Sequence, residues 1–320
     1  MSHQIILSLL LMESELYKLE QQRATFSVKE IIDFLNSKDI KTIFEGNEEQ
    51  IIVGLSHAEK PENNTIIYSE YDKIDFKNNV LISAKQKGIN IIHAEDPKLA
   101  FYYLSHLFYK NEIISNKPQN ERNLYENCVI GNNSFIGDCV IGRNVVIGHN
   151  TVIEDGVTIG DNTVIGNNCS IGCFGLSWTW DKQEKVFLYA VGKTIIGNNC
   201  KISSNVKIVR GVFSKSTILG NSVFIAPGSA IGHGASLKNN VHIANNCSIG
   251  GSAIISENCF LGCSSTVSTY AFVGKNTILA SSCCTKSNQI LDENSVYLGI
   301  PATKYKNIEN KYSLKGVPKK

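Results

Sequence analysis

Seven histidines punctuate the 320-residue chain, and three of them, His149, His233 and His242, fall in its repetitive stretch. Imidazole titrates near neutrality, so a well-placed histidine can take a proton from a reacting group without a metal. His233 sits between Gly232 and Gly234, two residues after the aliphatic Ile231. In that setting it reads either as a solvated corner residue or as a proton acceptor. His242 directly precedes Ile243, where an outward-facing strand residue is the plain alternative. Three converging histidines would make a zinc lyase site, but the spacing of these three argues against a shared one. The ten cysteines all lie between Cys128 and Cys284, several in neighbouring copies of one slot, as at Cys247 and Cys259. No C-x-x-C pair occurs among them. Buried thiols in a reducing, cytoplasmic compartment are expected rather than a disulfide framework.

The elements that must position these groups are announced by internal repetition. An aliphatic residue, usually followed by Gly, recurs from Ile130 through Ile136, Ile141, Ile147, Ile153, Ile159 and Ile165 to Ile171. The period resumes at Ile196, Ile202 and Ile208, then runs unbroken from Leu219 to Leu279. A six-residue period fits neither an amphipathic helix nor a hairpin meander; it fits a short strand plus a turn, stacked as a solenoid. The aliphatic points inward, and Gly and Asn at the corners tolerate positive φ. Asn-Asn pairs at 132–133, 167–168, 198–199, 239–240 and 245–246 agree with such corners. Two stretches lose the period. Residues 173–193 contain Phe174, Trp178 and the other tryptophan, and residues 211–217 form a shorter excursion. A long aromatic loop on a solenoid either builds an interaction surface or caps the helix, and both can hold.

Before the repeats, residues 26–115 mix apolar runs (IIVGL, NVLISA, INIIHA) with helical patterns (VKEIIDFLN, KLAFYYLSHLF), which reads as a small α/β domain. Residues 1–25 read as a helical segment, 116–127 as a polar linker, 128–298 as the solenoid and 299–320 as a polar tail. The apolar stretch Ile5–Met12 is too short to span a bilayer and lacks a signal-peptide pattern. A net charge of +2 without a basic block gives no reason to expect nucleic acid as a partner.

Several stretches taken in order carry a family resemblance. FSVKEIIDFLN, IIVGLSHAEKPENNTIIYSEY, DPKLAFYYLSHLF, IGCFGLSW, KTIIGNNCKISSNVKIVRGVFSKSTILGNSVFI and the terminal GIPA together resemble the UDP-3-O-(3-hydroxyacyl)glucosamine N-acyltransferases of lipid A synthesis. IGHGASLKNNVHIANNCSIGG is similar to acetyltransferases of bacterial amino sugars and sialic acid. The resemblance implies a left-handed triangular β-helix and a homotrimer with its sites at subunit boundaries. It implies a catalytic base at His233 and an oxyanion-binding backbone N–H at Gly251. The likeness to the amino-sugar enzymes, though not to the lipid A enzymes, implies contact of His242 with the acyl donor; Phe174 and Trp178 are expected to bind substrate because they belong to the long aromatic insertion. Tyr68 matches an aromatic that stacks on uracil in the lipid A enzymes. The Asn and Tyr that follow it there are replaced here by Tyr71 and Ile74, and Tyr68 and Tyr71 are the expected substrate-binding residues of a nucleotide-binding-like domain over 26–115. Gly234 stands where the amino-sugar enzymes often carry an acidic partner for the base.

The tail is shorter than the helical extension with which the lipid A enzymes bind their acyl carrier protein, and the insertion reads SWTWDKQEKV rather than the usual family sequence. Both departures direct the expectation toward a cytoplasmic N-acyltransferase for surface glycan synthesis. It would move an acetyl or short 3-hydroxyacyl group from coenzyme A to the amine of a nucleotide-linked amino sugar, with the thioester as co-substrate and no permanent cofactor. The alternative is the lipid A enzyme itself, using acyl carrier protein. A non-catalytic scaffold is a third class, disfavoured by the added α/β domain and the aromatic insertion.

Overall fold

The computed structural model describes residues 24–68, 78–86, 88–110 and 127–308. The helical segment expected over 1–25, the linker 116–127, Tyr71, Ile74 and the end of the polar tail lie wholly or almost wholly outside these residues. The chain divides into two compact units. One holds the described residues up to Leu55 with Pro61–Phe108, and the other holds Ser56–Lys60 with those from Tyr109 onward.

The first unit is the expected small α/β domain. Its five-stranded sheet runs in the order Thr42–Glu45, Ile91–Ala94, Val80–Ser83, Thr65–Tyr68, Gly54–Ser56. Thr65–Tyr68, Val80–Ser83 and Ile91–Ala94 pair in parallel, and Thr42–Glu45 closes one edge antiparallel. Parallel strands covered on both faces need continuous rather than alternating apolar runs. Accordingly Ile66, Ile67, Leu81, Ile82 and Ile92 are all buried. Helix Val28–Asn36 starts at a capping box in which Ser27 and Glu30 satisfy each other's backbone N–H, and it buries Val28, Ile31 and Leu35. Helix Pro97–Tyr109 follows Asp96, whose carboxylate accepts the Leu99 N–H at 2.8 Å.

The second unit is a parallel β-helix of three faces, with ten, seven and eight strands. The ten-stranded face runs from Val129–Ile130 to Ser295–Leu298 and ends in the antiparallel strand Thr303–Asn307. The seven-stranded face runs from Phe135–Ile136 to Thr266–Val267, and the eight-stranded face from Val140–Ile141 to Ile290–Leu291. Each inward aliphatic stacks on its copy one coil away, as in Ile225–Ile243–Leu261–Leu279. One coil cannot bury its own inner face, so the column of Ile, Leu and Val is what holds neighbouring coils together.

The corners use asparagine as the sequence suggests. Asn133, Asn168, Asn199, Asn240 and Asn246, the second members of the five pairs, all hold φ between 55° and 59°. The first members do different work: Asn167 accepts the His149 N–H at 2.8 Å and Asn198 accepts the Asp161 N–H at 2.7 Å, each bond tying one coil to the next. All ten cysteines are free thiols. Cys200, Cys247 and Cys259 fill small slots beside the core column and donate to glycine carbonyls of a neighbouring coil at 3.0–3.2 Å.

Candidate active site

The interruptions and His233 share one edge of the prism. The insertion leaves after Ser170–Cys173 on the seven-stranded face and returns at Thr194–Ile196 on the eight-stranded face. The excursion leaves after Lys207–Val209 and returns at Thr217–Leu219, across the same two faces. His233 lies between Ala230–Ile231 and Ser236–Leu237, again at that edge and one coil further. Gly251 follows one coil later, between Ser248–Ile249 and Ile254–Ile255.

His233 and Gly251 are in contact. The half-buried imidazole lies so closely against Gly251 that an added Cβ would stand 2.6 Å from Cε1 and 2.9 Å from Cδ2, nearer still to Nε2. Only glycine leaves room for the ring. The His233 carbonyl accepts the Ser252 N–H at 2.8 Å, and the following Gly234 N–H donates to Thr217 Oγ1 at 2.8 Å, so the corner backbone is held on both sides. Among the described residues, none accepts the backbone N–H of Gly251 and none bonds to the His233 ring.

His149 occupies the same slot of its hexad and shows what that slot otherwise does. Its Nδ1 accepts the Asn132 N–H at 2.8 Å, one rung in a ladder where a corner side chain caps the corresponding N–H of the preceding coil. Asn167, Asn198 and Asp161 form other rungs. At the His233 corner the N–H one coil back, that of Arg210, donates instead to the Cys173 carbonyl at 2.8 Å, and no such rung engages the His233 ring.

Charge surrounds it. Lys215, on the excursion, makes a 2.7 Å ion pair with Glu59, and its ammonium stands 5.8 Å from the centre of the Tyr270 ring. Burial, then the Lys215 charge, holds His233 below the ordinary imidazole value. Burial and then Lys215 also hold His57 down, with Glu59 opposing them and the His233 charge adding to them. A neutral His233 can accept a proton at neutral pH. The insertion also reaches the site: a Cβ at Gly175 would lie 4.0 Å from His233 Cδ2.

The other expected residues are distributed more widely. Phe174, adjacent to Gly175, is 52% exposed. Trp178 lies on a hairpin, Trp178–Asp181 with Glu184–Phe187, edge-on to Trp180 at 5.2 Å and under the Lys185 ammonium at 4.4 Å. His242 projects from the ten-stranded face between Phe224 and Phe260, at 6.2 and 5.2 Å, and burial lowers its pKa. Within one chain it does not join His233. Tyr68 packs on Phe101 at 5.7 Å inside the α/β unit. No group of three or more His, Cys, Asp or Glu among the described residues is placed to hold a metal ion. His57, Glu59 and Lys215 were not singled out by sequence. Lys215 could have been found by counting hexads in threes, which puts its excursion on the His233 edge.

The second unit has the stacked three-faced coils of a hexapeptide-repeat β-helix, and within it residues 138–173 match the family described as bacterial transferase hexapeptide (six repeats). No match was found among curated proteins. Among solved structures, the chain is similar to UDP-N-acetylglucosamine O-acyltransferase from Moraxella catarrhalis RH4, at 22% identity over 57% of this chain and 71% of that one, with a TM-score of 0.39. A UDP-N-acetylglucosamine acyltransferase from Bacteroides fragilis 9343 aligns at 23% identity over 57% and 69% of the two chains, TM-score 0.37. A mutant N-acyltransferase from Bacillus cereus, in complex with dTDP and coenzyme A, aligns at 16% identity over 52% and 84%, TM-score 0.26. No helix among the described residues is long and apolar enough to cross a membrane.

Proposed function

We propose that this chain is an N-acyltransferase that moves an acetyl or short 3-hydroxyacyl group from a coenzyme A thioester to the amine of a nucleotide-linked amino sugar. The observation that carries the reading is the His233–Gly251 contact: an imidazole freed from the corner ladder stands against a backbone N–H with no described acceptor. The match to transferase hexapeptides supports the same class of chemistry.

In this reading the sugar amine attacks the thioester carbonyl and His233 takes the proton released as the C–N bond forms. The Gly251 N–H receives the developing oxyanion, where a preorganised donor is most effective. The C–S bond then breaks and the thiolate leaves with the proton that His233 returns. Phe174 and Trp178 line the approach from the insertion, and Tyr68 offers a ring to the nucleobase. The working assembly is a homotrimer in which His242 meets the donor in a groove between protomers, its pantetheine running toward Gly299–Ala302.

A matrix of donors (acetyl and 3-hydroxyacyl, on coenzyme A and on acyl carrier protein) against amino-sugar nucleotides tests the reading. Turnover is expected with coenzyme A donors and with a free-amine acceptor, and His233→Ala should lose about 10²–10⁴-fold in kcat while light scattering still reports a trimer. Turnover with acyl carrier protein alone would assign the chain to the lipid A reaction instead. Undiminished turnover in His233→Ala would remove the proposed base.

A further inference from the structure

Beside His233 stands a cation that the transfer steps above do not call on. The Lys215 stem packs over the His233 corner: a Cβ at Gly234 would lie 3.6 Å from both its Cδ and its Cε. Its ammonium is fixed by Glu59 at 2.7 Å, with the Tyr270 ring nearby.

The backbone beneath it is equally constrained. The excursion closes on itself through paired Val212–Lys215 hydrogen bonds of 2.9 and 3.0 Å. Residues 57–60 close on a similar bridge, with the Lys60 N–H donating to the His57 carbonyl at 2.9 Å. These two tight turns interlock, because Ser214 Oγ accepts the His57 N–H at 2.9 Å and donates to the Lys60 carbonyl. Glu59 is thereby delivered to Lys215 across a sequence separation of 156 residues. Neither turn has an element of regular structure to account for so many mutual bonds.

The charged or titratable groups on the elements packed at this corner are Lys215 on the excursion, Arg210 just before it, whose guanidinium donates to the Gly172 carbonyl at 2.7 Å, His57 and Glu59 on the 57–60 turn and Tyr270 two coils on; Gly175 from the insertion and Gly251 from the next coil add none. A cation immobilised beside an imidazole opposes the arrival of a second positive charge there.

We propose that Lys215 is a positioning residue of the transfer site, a cation clamped by Glu59 and the 57–60 turn that keeps His233 unprotonated and ready to accept the amine proton. The proposal rests on the acyltransferase reading. Glu59 acts through Lys215 by holding the ammonium in place, and His57 joins the 57–60 turn to Ser214 through its backbone N–H. The lowered proton affinity of His233, with Lys215 as its second cause after burial, agrees with this arrangement.

The test is an NMR titration of the His233 ring in the full-length protein, with the resonance assigned by its loss in His233→Gln, run beside the pH–rate profile. In Lys215→Met both the His233 midpoint and the acid limb of kcat/KM should move upward, and in Lys215→Arg both should stay near the wild type. Lys215→Gln, which keeps a polar end toward Glu59, gives the same reading if the methionine variant melts early. A His233 midpoint that is unmoved or lower when the charge is removed overturns the proposal. The two layers fail separately. An unmoved midpoint alongside a dead His233→Ala enzyme rejects only the role of Lys215, whereas full turnover in His233→Ala rejects the transferase assignment whatever the titration shows.

Discussion

The His233 ring rests against the backbone of Gly251 one coil further along, with Cε1 of the imidazole 2.6 Å from where a Gly251 side chain would begin. The proposed proton acceptor and the proposed oxyanion donor are thus set by one contact. Neither residue can be changed without disturbing the other.

Gly251→Ala should therefore act through His233. A methyl group at that position forces the ring aside, and a displacement of about 1 Å at a reacting centre can cost on the order of 10²-fold in rate. The expected outcome is a loss of that order in kcat with the melting temperature nearly retained, since Gly251 lies at a corner rather than in the aliphatic column. An alanine variant as active as the parent would show that the ring is not where catalysis happens.

The pH profile has a definite sign. Burial and the Lys215 charge place His233 below its ordinary value of 6.5, so the folded ring takes up its proton at lower pH than the unfolded chain does. The neutral base persists through pH 7, and kcat/KM is expected to fall only as pH drops through a midpoint under 6.5. Stability follows the same direction, because below 6.5 the unfolded imidazole binds a proton that the folded one resists. An acid limb centred above 6.5 would contradict the assignment.

The cysteines differ in burial, and their reactivity is expected to follow. Cys259 is 2% exposed, and burial pushes its thiol up to about 12, whereas Cys263 is exposed. Alkylation needs the thiolate and access to it. At pH 8, peptide mapping after iodoacetamide should find Cys263 modified and Cys259 intact until the protein is denatured. Rapid native labelling of Cys259 would mean that the coils open readily.

A corner asparagine can be tested by stability alone. Asn258 holds φ 60° and links Asn240 and Asn276 through side-chain amides at 3.2 and 3.0 Å. Asn258→Val should cost about 1–2 kcal/mol for the left-handed backbone alone, with the loss of both amide bonds in addition. Asn258→Gly keeps the conformation accessible and should cost less. Equal melting temperatures for the two variants would show that the corner backbone is not strained by a β-branched residue.

Much of this molecule was legible because its signals are periodic. Ile225, Ile243 and Leu261 recur in step, and a repeat read as strand plus turn becomes three parallel faces once coils stack. The Asn pairs marked left-handed corners for the same local reason. The registry of His233 with Gly251 is one full coil, so their contact follows from counting. Counting also puts the excursion that carries Lys215 on the His233 edge, but its pairing with Glu59 was beyond such reasoning: a contact across 156 residues, made by two irregular turns, leaves no period and no composition bias. His242 shows the opposite limit, since its slot beside Ile243 placed it correctly on a strand but did not say that Phe224 and Phe260 would flank it.

The insertion stretches the step between stacked coils to 37 residues and the excursion stretches the next to 23, against 17 or 18 elsewhere, yet Ile159, Ile196 and Leu219 still pair in line. Material can thus be added at this edge without rethreading the hydrophobic column. The prism behaves there as a socket: loops of different length and chemistry can be exchanged around a fixed imidazole, so that what the site admits can diverge while the machinery that holds it does not.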